Sequence, residues 1–277
     1  MSAAIHGTHP ASTAGTFGAS IPALAAGRQD AGRPVFVITD NRFGETSIER
    51  AVLDPLGVEL REASCRTAED VIEAGRDADA LLVNMAPISA VVAAGLERCK
   101  VVSRYGVGMD NVDVAACAAN GIAVANVPGY CDAEVAEHAL ALLLALTRGT
   151  GERDRAVRDG RWNVATPQYS VAGSVIGVAG FGGAGKAFSR AVLALRPAEL
   201  LLWSLALTRS RVDEELAALA ALTGTRVRVV TFDELITRSD VLSIHLALNA
   251  ETKGLFGADV LSRMKPGAFI VNTARGG

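Results

Sequence analysis

From Pro34 onward, short apolar runs alternate with stretches whose apolar residues recur at helical spacing. Val35-Phe36-Val37-Ile38-Thr39 is β-branched and apolar without a polar alternate face. That is the pattern of a strand buried on both sides, as in a parallel sheet. Similar runs at residues 58–60, 80–83, 101–103 and 123–126 continue the series, with helical patterns between them at 46–53, 67–74, 89–96 and 114–119. Val127-Pro128-Gly129-Tyr130 breaks the alternation and reads as a hinge. A helix over 133–146 follows, apolar nearly all round, which suits burial at a domain or subunit interface. After a loop carrying Trp162, Pro167 and Tyr169, a second series begins, with strands at 175–179, 200–203, 227–230, 241–245 and 268–272. The pattern predicts an α/β protein of doubly wound parallel sheets built from right-handed βαβ units.

The length of 277 residues accommodates two domains, and an apolar fraction of one half supplies their cores. A net charge of −3 without a long basic run argues against nucleic acid and anionic membrane as partners. The apolar stretch 135–146 contains Glu137 and His138 and is too short to span a bilayer. Cys65, Cys99, Cys117 and Cys131 form no C-x-x-C pair, which favours a reduced, cytoplasmic setting over a disulfide framework or a zinc site. Cys131 reads as a small, half-buried side chain in preference to a reactive thiol. Residues 1–33, rich in Ala, Gly, Ser and Thr, read as a disordered extension or a misassigned start, with no chemistry expected of His6 or His9.

Two segments carry candidate chemistry. Gly180-Phe181-Gly182-Gly183-Ala184-Gly185 stands between an apolar strand and a helix predicted over 186–195. In that context G-x-G-x-x-G is a dinucleotide fingerprint. Gly180 allows the tight turn, Gly182 lets backbone amides approach a pyrophosphate, and Gly185 lets helix and strand pack closely. The helix N-terminus adds partial positive charge. At the end of the next strand, where NAD sites usually place an acid for the ribose 2′-OH, the chain has Ser204, with Arg209 and Arg211 nearby. This leaves both NAD and NADP open as cofactor. The second segment, Arg104-Tyr105-Gly106-Val107-Gly108, exposes successive amides at a strand's C-terminal end, a turn able to hold a carboxylate or to serve as a bare connector.

Several ordered motifs then resemble the D-2-hydroxyacid dehydrogenase family, and most closely its phosphoglycerate-dehydrogenase-like branch. They are residues 104–113, Asn126-Val127-Pro128-Gly129-Tyr130-Cys131, Glu134-Val135-Ala136-Glu137-His138-Ala139, Gly177 to Gly182, Ser239 to His245, and Met264-Lys265-Pro266-Gly267-Ala268 through Arg275. The resemblance covers residues 34–277. It implies a flavodoxin-like substrate domain at 34–128 and a Rossmann cofactor domain at 129–277, with the active site in the cleft between them and a homodimer formed through the cofactor domain. It implies that Tyr105, Gly106, Val107 and Gly108 bind the substrate and that Arg275 is catalytic, pairing with the carboxylate and 2-oxo oxygen of a small 2-oxo acid. An arginine suits this because its planar fork binds two oxygens and keeps its charge. The cofactor would meet Gly180, Gly182, Gly183, Ala184, Gly185, Ser204, His245, Thr273 and Ala274.

The family's glutamate and catalytic histidine follow the arginine, so the expectation is a C-terminally incomplete dehydrogenase of doubtful activity with uncovered apolar sheet surface. His138 reads as a helix residue at a packed interface and His245 as cofactor-cleft lining, neither as the acid. A dinucleotide-binding module or pseudoenzyme without chemistry is the alternative, and a formate-dehydrogenase-like member ranks below both.

Overall fold

The computed structural model describes residues 32–162, 165–205 and 221–277. The expected extension up to residue 31, with His6 and His9, lies outside the described residues, as do Arg209 and Arg211. The first half contains β1 (Val35–Ile38), α1 (Ser47–Leu53), β2 (Glu59–Glu62), α2 (Ala68–Gly75), β3 (Ala80–Val83), α3 (Ala90–Gly95), β4 (Val101–Arg104), α4 (Val114–Ala119) and β5 (Ala123–Ala125). The second contains α5 (Asp132–Arg148), α6 (Thr150–Arg158), β6 (Val175–Ala179), α7 (Gly183–Leu193), β7 (Glu199–Trp203), β8 (Arg226–Val229), α8 (Phe232–Arg238), β9 (Val241–Ile244), α9 (Ala258–Ser262) and β10 (Phe269–Asn272).

The strands form two five-stranded sheets, β2-β1-β3-β4-β5 and β10-β9-β6-β7-β8, with every pairing parallel. Counted within each half, the orders are 2-1-3-4-5 and 5-4-1-2-3, the flavodoxin-like and Rossmann orders of a doubly wound fold. The strand order reverses between β1 and β3 in one sheet and between β6 and β9 in the other, so crevices open outside their C-terminal ends.

Caps account for several helix starts. Thr67 and Asp70 make a reciprocal capping box at α2, and Thr231 and Glu234 make another at α8. Ser89 and Asp113 accept hydrogen bonds from the first turns of α3 and α4. Three helices, α6, α8 and α9, have no counterpart in the hydrophobic pattern. Helix α6, TGERDRAVR, buries only Ala156, so it carries almost no apolar stripe. Helices α8 and α9 are seven and five residues long.

The core of the first half lies mainly between its sheet and α2, α3 and α4, with Val71, Leu81, Ile88, Val92, Val102 and Cys117 fully buried. In the second half, α5 and α7 cover one face of the sheet through Leu143, Phe188 and Val192, and α8 covers the other through Leu235 and Ile236. β10 ends its sheet, with Val271 buried and Ile270 38% exposed. The four cysteines are unpaired, three of them buried and Cys131 half-buried. Among the described residues no helix is long and apolar enough to cross a membrane.

Candidate functional site

The glycine turn after β6 is built as the fingerprint requires. Gly180 has a φ of +98°, and a Cβ there would stand 2.7 Å from the carbonyl carbon and oxygen of His245. A Cβ on Gly185 would collide with the carbonyl oxygen of Gly180. These two glycines let β6, α7 and the end of β9 close on one another. Gly182 differs, because nothing lies within 4 Å of the place its Cβ would take. That open space lies directly before the first turn of α7, whose N-cap, Gly182, contributes no side chain to its amides. The cradle therefore fits a pyrophosphate. Helix α7 begins at Gly183, inside the fingerprint, which puts Gly183, Ala184 and Gly185 in its first turn.

Ser204 follows the C-terminal end of β7, where a ribose-binding acid is usual, and is half-buried. Its neighbour Trp203 packs on Phe232, ring centroids 4.8 Å apart. His245 lies behind the glycine turn. Its ring packs on Phe188 with centroids 5.2 Å apart, shares a 2.8 Å hydrogen bond with Ser243 Oγ, and leaves Nδ1 buried without a partner. Burial pushes its pKa down to about 4, so the imidazole is neutral at ordinary pH and holds no proton ready for donation.

The turn after β10 is shaped by Asn272, whose Oδ1 accepts from the Ala274 amide and whose Nδ2 donates to the Arg275 carbonyl. Thr273 Oγ1 is buried beside them with no hydrogen-bond partner. Arg275 reaches across to the other half of the chain. Its Nε and Nη2 both lie 3.0 Å from Asp110 Oδ1, and this cation holds the Asp110 carboxyl below the usual carboxylate range. Arg275 Nη2 occupies the place that a Cβ on Gly108 would fill, so the close approach requires glycine at 108. A cleft of about 510 Å³ beside Arg275 is lined by Glu134, His138, Leu142, Thr273 and Ala274. His138 is exposed on α5 and faces this cleft.

Gly106, with a φ of +155°, turns the chain after β4. Asn126 Nδ2 donates to the Val107 carbonyl at 2.8 Å, and the Val127 amide donates to the Gly106 carbonyl at 3.0 Å. The carbonyls are thus tied back, while among the described residues no protein acceptor takes the amides of Val107 and Gly108. Tyr105 sends its hydroxyl to Glu49 at 2.7 Å; burial and this carboxylate raise the phenol well above its ordinary range. Its backbone belongs to the turn, and its phenol is committed to α1.

Three further residues shape this region, none of which was given a role of its own from the sequence. Asp110 matters because of Arg275, 165 positions away. Asp40 fixes the loop after β3, its carboxylate accepting from the amides of Asn84 and Met85 at 3.0 and 2.6 Å. Arg104 is only 8% exposed, and among the described residues no carboxylate lies within ion-pair distance of its guanidinium, although its charge helps to lower the Asp110 pKa. Its Nε is buried unbonded, Nη2 reaches only Met85 Sδ at 4.0 Å, and Nη1 lies where a Cβ on Gly106 would be. The signal for Arg104 was its place at the end of a buried strand, where a charge is out of pattern.

Residues 140–277 match the family described as D-isomer specific 2-hydroxyacid dehydrogenase, NAD binding domain. The D-3-phosphoglycerate dehydrogenase of Mycobacterium leprae is 35% identical over 248 residues, covering 88% of this chain and 44% of that protein. The chain belongs to the D-2-hydroxyacid dehydrogenase family, in its phosphoglycerate-dehydrogenase-like branch. It spans less than half the length of that Mycobacterium relative. Among solved structures, a glyoxylate reductase from Paecilomyes thermophila superposes with a TM-score of 0.76 at 28% identity, covering 88% of this chain and 74% of that one. An NAD-dependent formate dehydrogenase from Staphylococcus aureus, in complex with NAD, gives 0.74 at 28% identity over 88% of this chain and 74% of that one. The family's cofactor is NAD or NADP, and the open cradle at Gly182 fits it.

Proposed function

We propose that this chain carries the cofactor site and the carboxylate-binding part of a 2-oxo acid reductase, with residues 34–128 as substrate domain and 129–277 as cofactor domain. The carrying observation is the convergence of Arg275 with the Gly106-Val107-Gly108 turn, two segments from different sheets that meet at Gly108. The free amides of Val107 and Gly108 hold the substrate carboxylate, and the Arg275 fork binds the carboxylate and the 2-oxo oxygen. A positive charge beside that oxygen favours the alkoxide that develops on it. When bound, a nicotinamide cofactor would supply or accept the hydride. Thr273 and Ala274 border its ring, and the turn from Gly180 to Gly185 holds its pyrophosphate. The unpaired, buried Arg104 beneath the turn supports a substrate with a second anionic group.

The test is binding of pyruvate and of 2-oxoglutarate to the NADH-loaded chain, followed by nicotinamide fluorescence. Arg275→Lys should weaken both acids by roughly 10- to 100-fold, the worth of one lost charge-assisted bidentate contact. Arg104→Met should weaken only the dicarboxylate. Unchanged affinity of pyruvate in Arg275→Lys sinks the reading. Binding of both ligands without turnover favours a dinucleotide-binding module.

Cofactor choice is set in this reading at Ser204, which offers no carboxylate to repel a 2′-phosphate. Ser204→Asp should shift the ratio of NADH to NADPH affinity toward NADH by about tenfold. A wild-type chain that already binds NADH far more tightly than NADPH contradicts it.

A further inference from the structure

The glycine turn receives a carboxylate from outside its own motif. Asp132 opens α5, directly after the segment that carries the chain from the first sheet toward the second. Its side-chain oxygens stand where a Cβ on Gly183 would be, and Oδ2 lies 3.6 Å from the Cβ position of Gly129. Gly183 is the first residue of α7, an eleven-residue helix whose N-cap lends no side chain to its amides. Those amides carry partial positive charge, which favours an anion at this point. Asp132 supplies one, and a pyrophosphate brings negative charge to the same helix end. Among the described residues no ion pair neutralises Asp132.

We propose that Asp132 is a specificity-determining residue of the cofactor site: its carboxylate competes with the dinucleotide pyrophosphate for the N-terminus of α7, and binding requires its displacement. This rests on the reading of Gly180 to Gly185 as the pyrophosphate cradle. Gly183 and Asp132 are a matched pair, because any side chain at 183 would strike the carboxylate. The competition lowers affinity for ligands that carry phosphate and leaves neutral ligands of the same pocket untouched. Added salt relieves part of it, since screening acts on the repulsion between the two anions.

The experiment titrates the whole 277-residue chain with NADH and, separately, with adenosine, by fluorescence and calorimetry, in wild type and Asp132→Asn. The asparagine is expected to bind NADH about fivefold more tightly, the effect of one unit charge near 4 Å in water. Adenosine should bind both chains equally. Equal NADH affinity in the two chains overturns the proposal while leaving the cradle standing. An equal gain for adenosine also overturns it, since the change is then a general loosening of the site. If neither chain binds NADH, the cradle itself is refuted and the proposal with it. Asp132→Ser carries the same expectation and replaces the asparagine if thermal melting shows that variant to be misfolded.

Discussion

Gly182→Val is expected to abolish dinucleotide binding while leaving the fold in place. The backbone at Gly182 has φ −81° and ψ −164°, a conformation open to any residue, and no atom lies within 4 Å of the Cβ position. Valine therefore costs the protein only the difference between glycine and a β-branched residue at an N-cap, about 1 kcal/mol. For a chain of this size that lowers the melting temperature by roughly 2–4 °C. The cofactor meets a different situation, because the isopropyl group fills the space through which a pyrophosphate reaches the first amides of α7. Losing one or two charge-assisted hydrogen bonds weakens NADH binding by roughly 50-fold or more. Fluorescence titration beside thermal melting separates the two effects. Wild-type affinity in a folded Gly182→Val chain would falsify the cradle. Gly180 and Gly185 cannot serve this purpose, because a Cβ on either meets backbone atoms and perturbs folding as well as binding.

Acidification should destabilise the protein through His245. Its pKa is pushed down to about 4 by burial, against an ordinary value of 6.5. The unfolded chain therefore binds a proton at pH values where the folded chain does not. The stability this contributes is fully present above about pH 6.5 and is lost as pH falls toward 4. The loss is on the order of 3 kcal/mol. Urea unfolding at pH 7 and pH 4 should show a larger drop for wild type than for His245→Gln, which has no titrating ring. Comparison with the variant removes the carboxylates, Asp110 among them, whose depressed pKa values also make stability fall with acid. An imidazole signal for His245 that titrates near 6.5 in NMR spectra would contradict the burial argument. It would also restore His245 as a proton donor at neutral pH.

Much of the architecture is written in local pattern. Doubly apolar runs such as those at β6 and β9 determine buried parallel strands, because side chains alternating across the chain are apolar on both faces. Thr67 with Asp70 and Thr231 with Glu234 mark helix starts within four residues of sequence. The spacing of Gly180, Gly182 and Gly185 is likewise a local constraint, set by one turn between a strand and a helix. Where the local signal was thin it failed: α6 has almost no apolar face and was not predicted, whereas β8, which alternates arginine with valine, was found within one residue.

The electrostatic character of the site was decided by tertiary structure. Nothing near Asp110 in sequence announces Arg275, and nothing in the fingerprint announces Asp132 or the ring of His245 behind it. That Arg104 is buried, with Nε unbonded, is likewise a product of folding. The physical reason is common to all four. Periodicity and capping act over one or two turns of chain, whereas charge pairing, desolvation and the exclusion of a Cβ depend on which strand ends lie side by side. That is settled by the sheet orders β2-β1-β3-β4-β5 and β10-β9-β6-β7-β8 and by how the two sheets meet at Gly108.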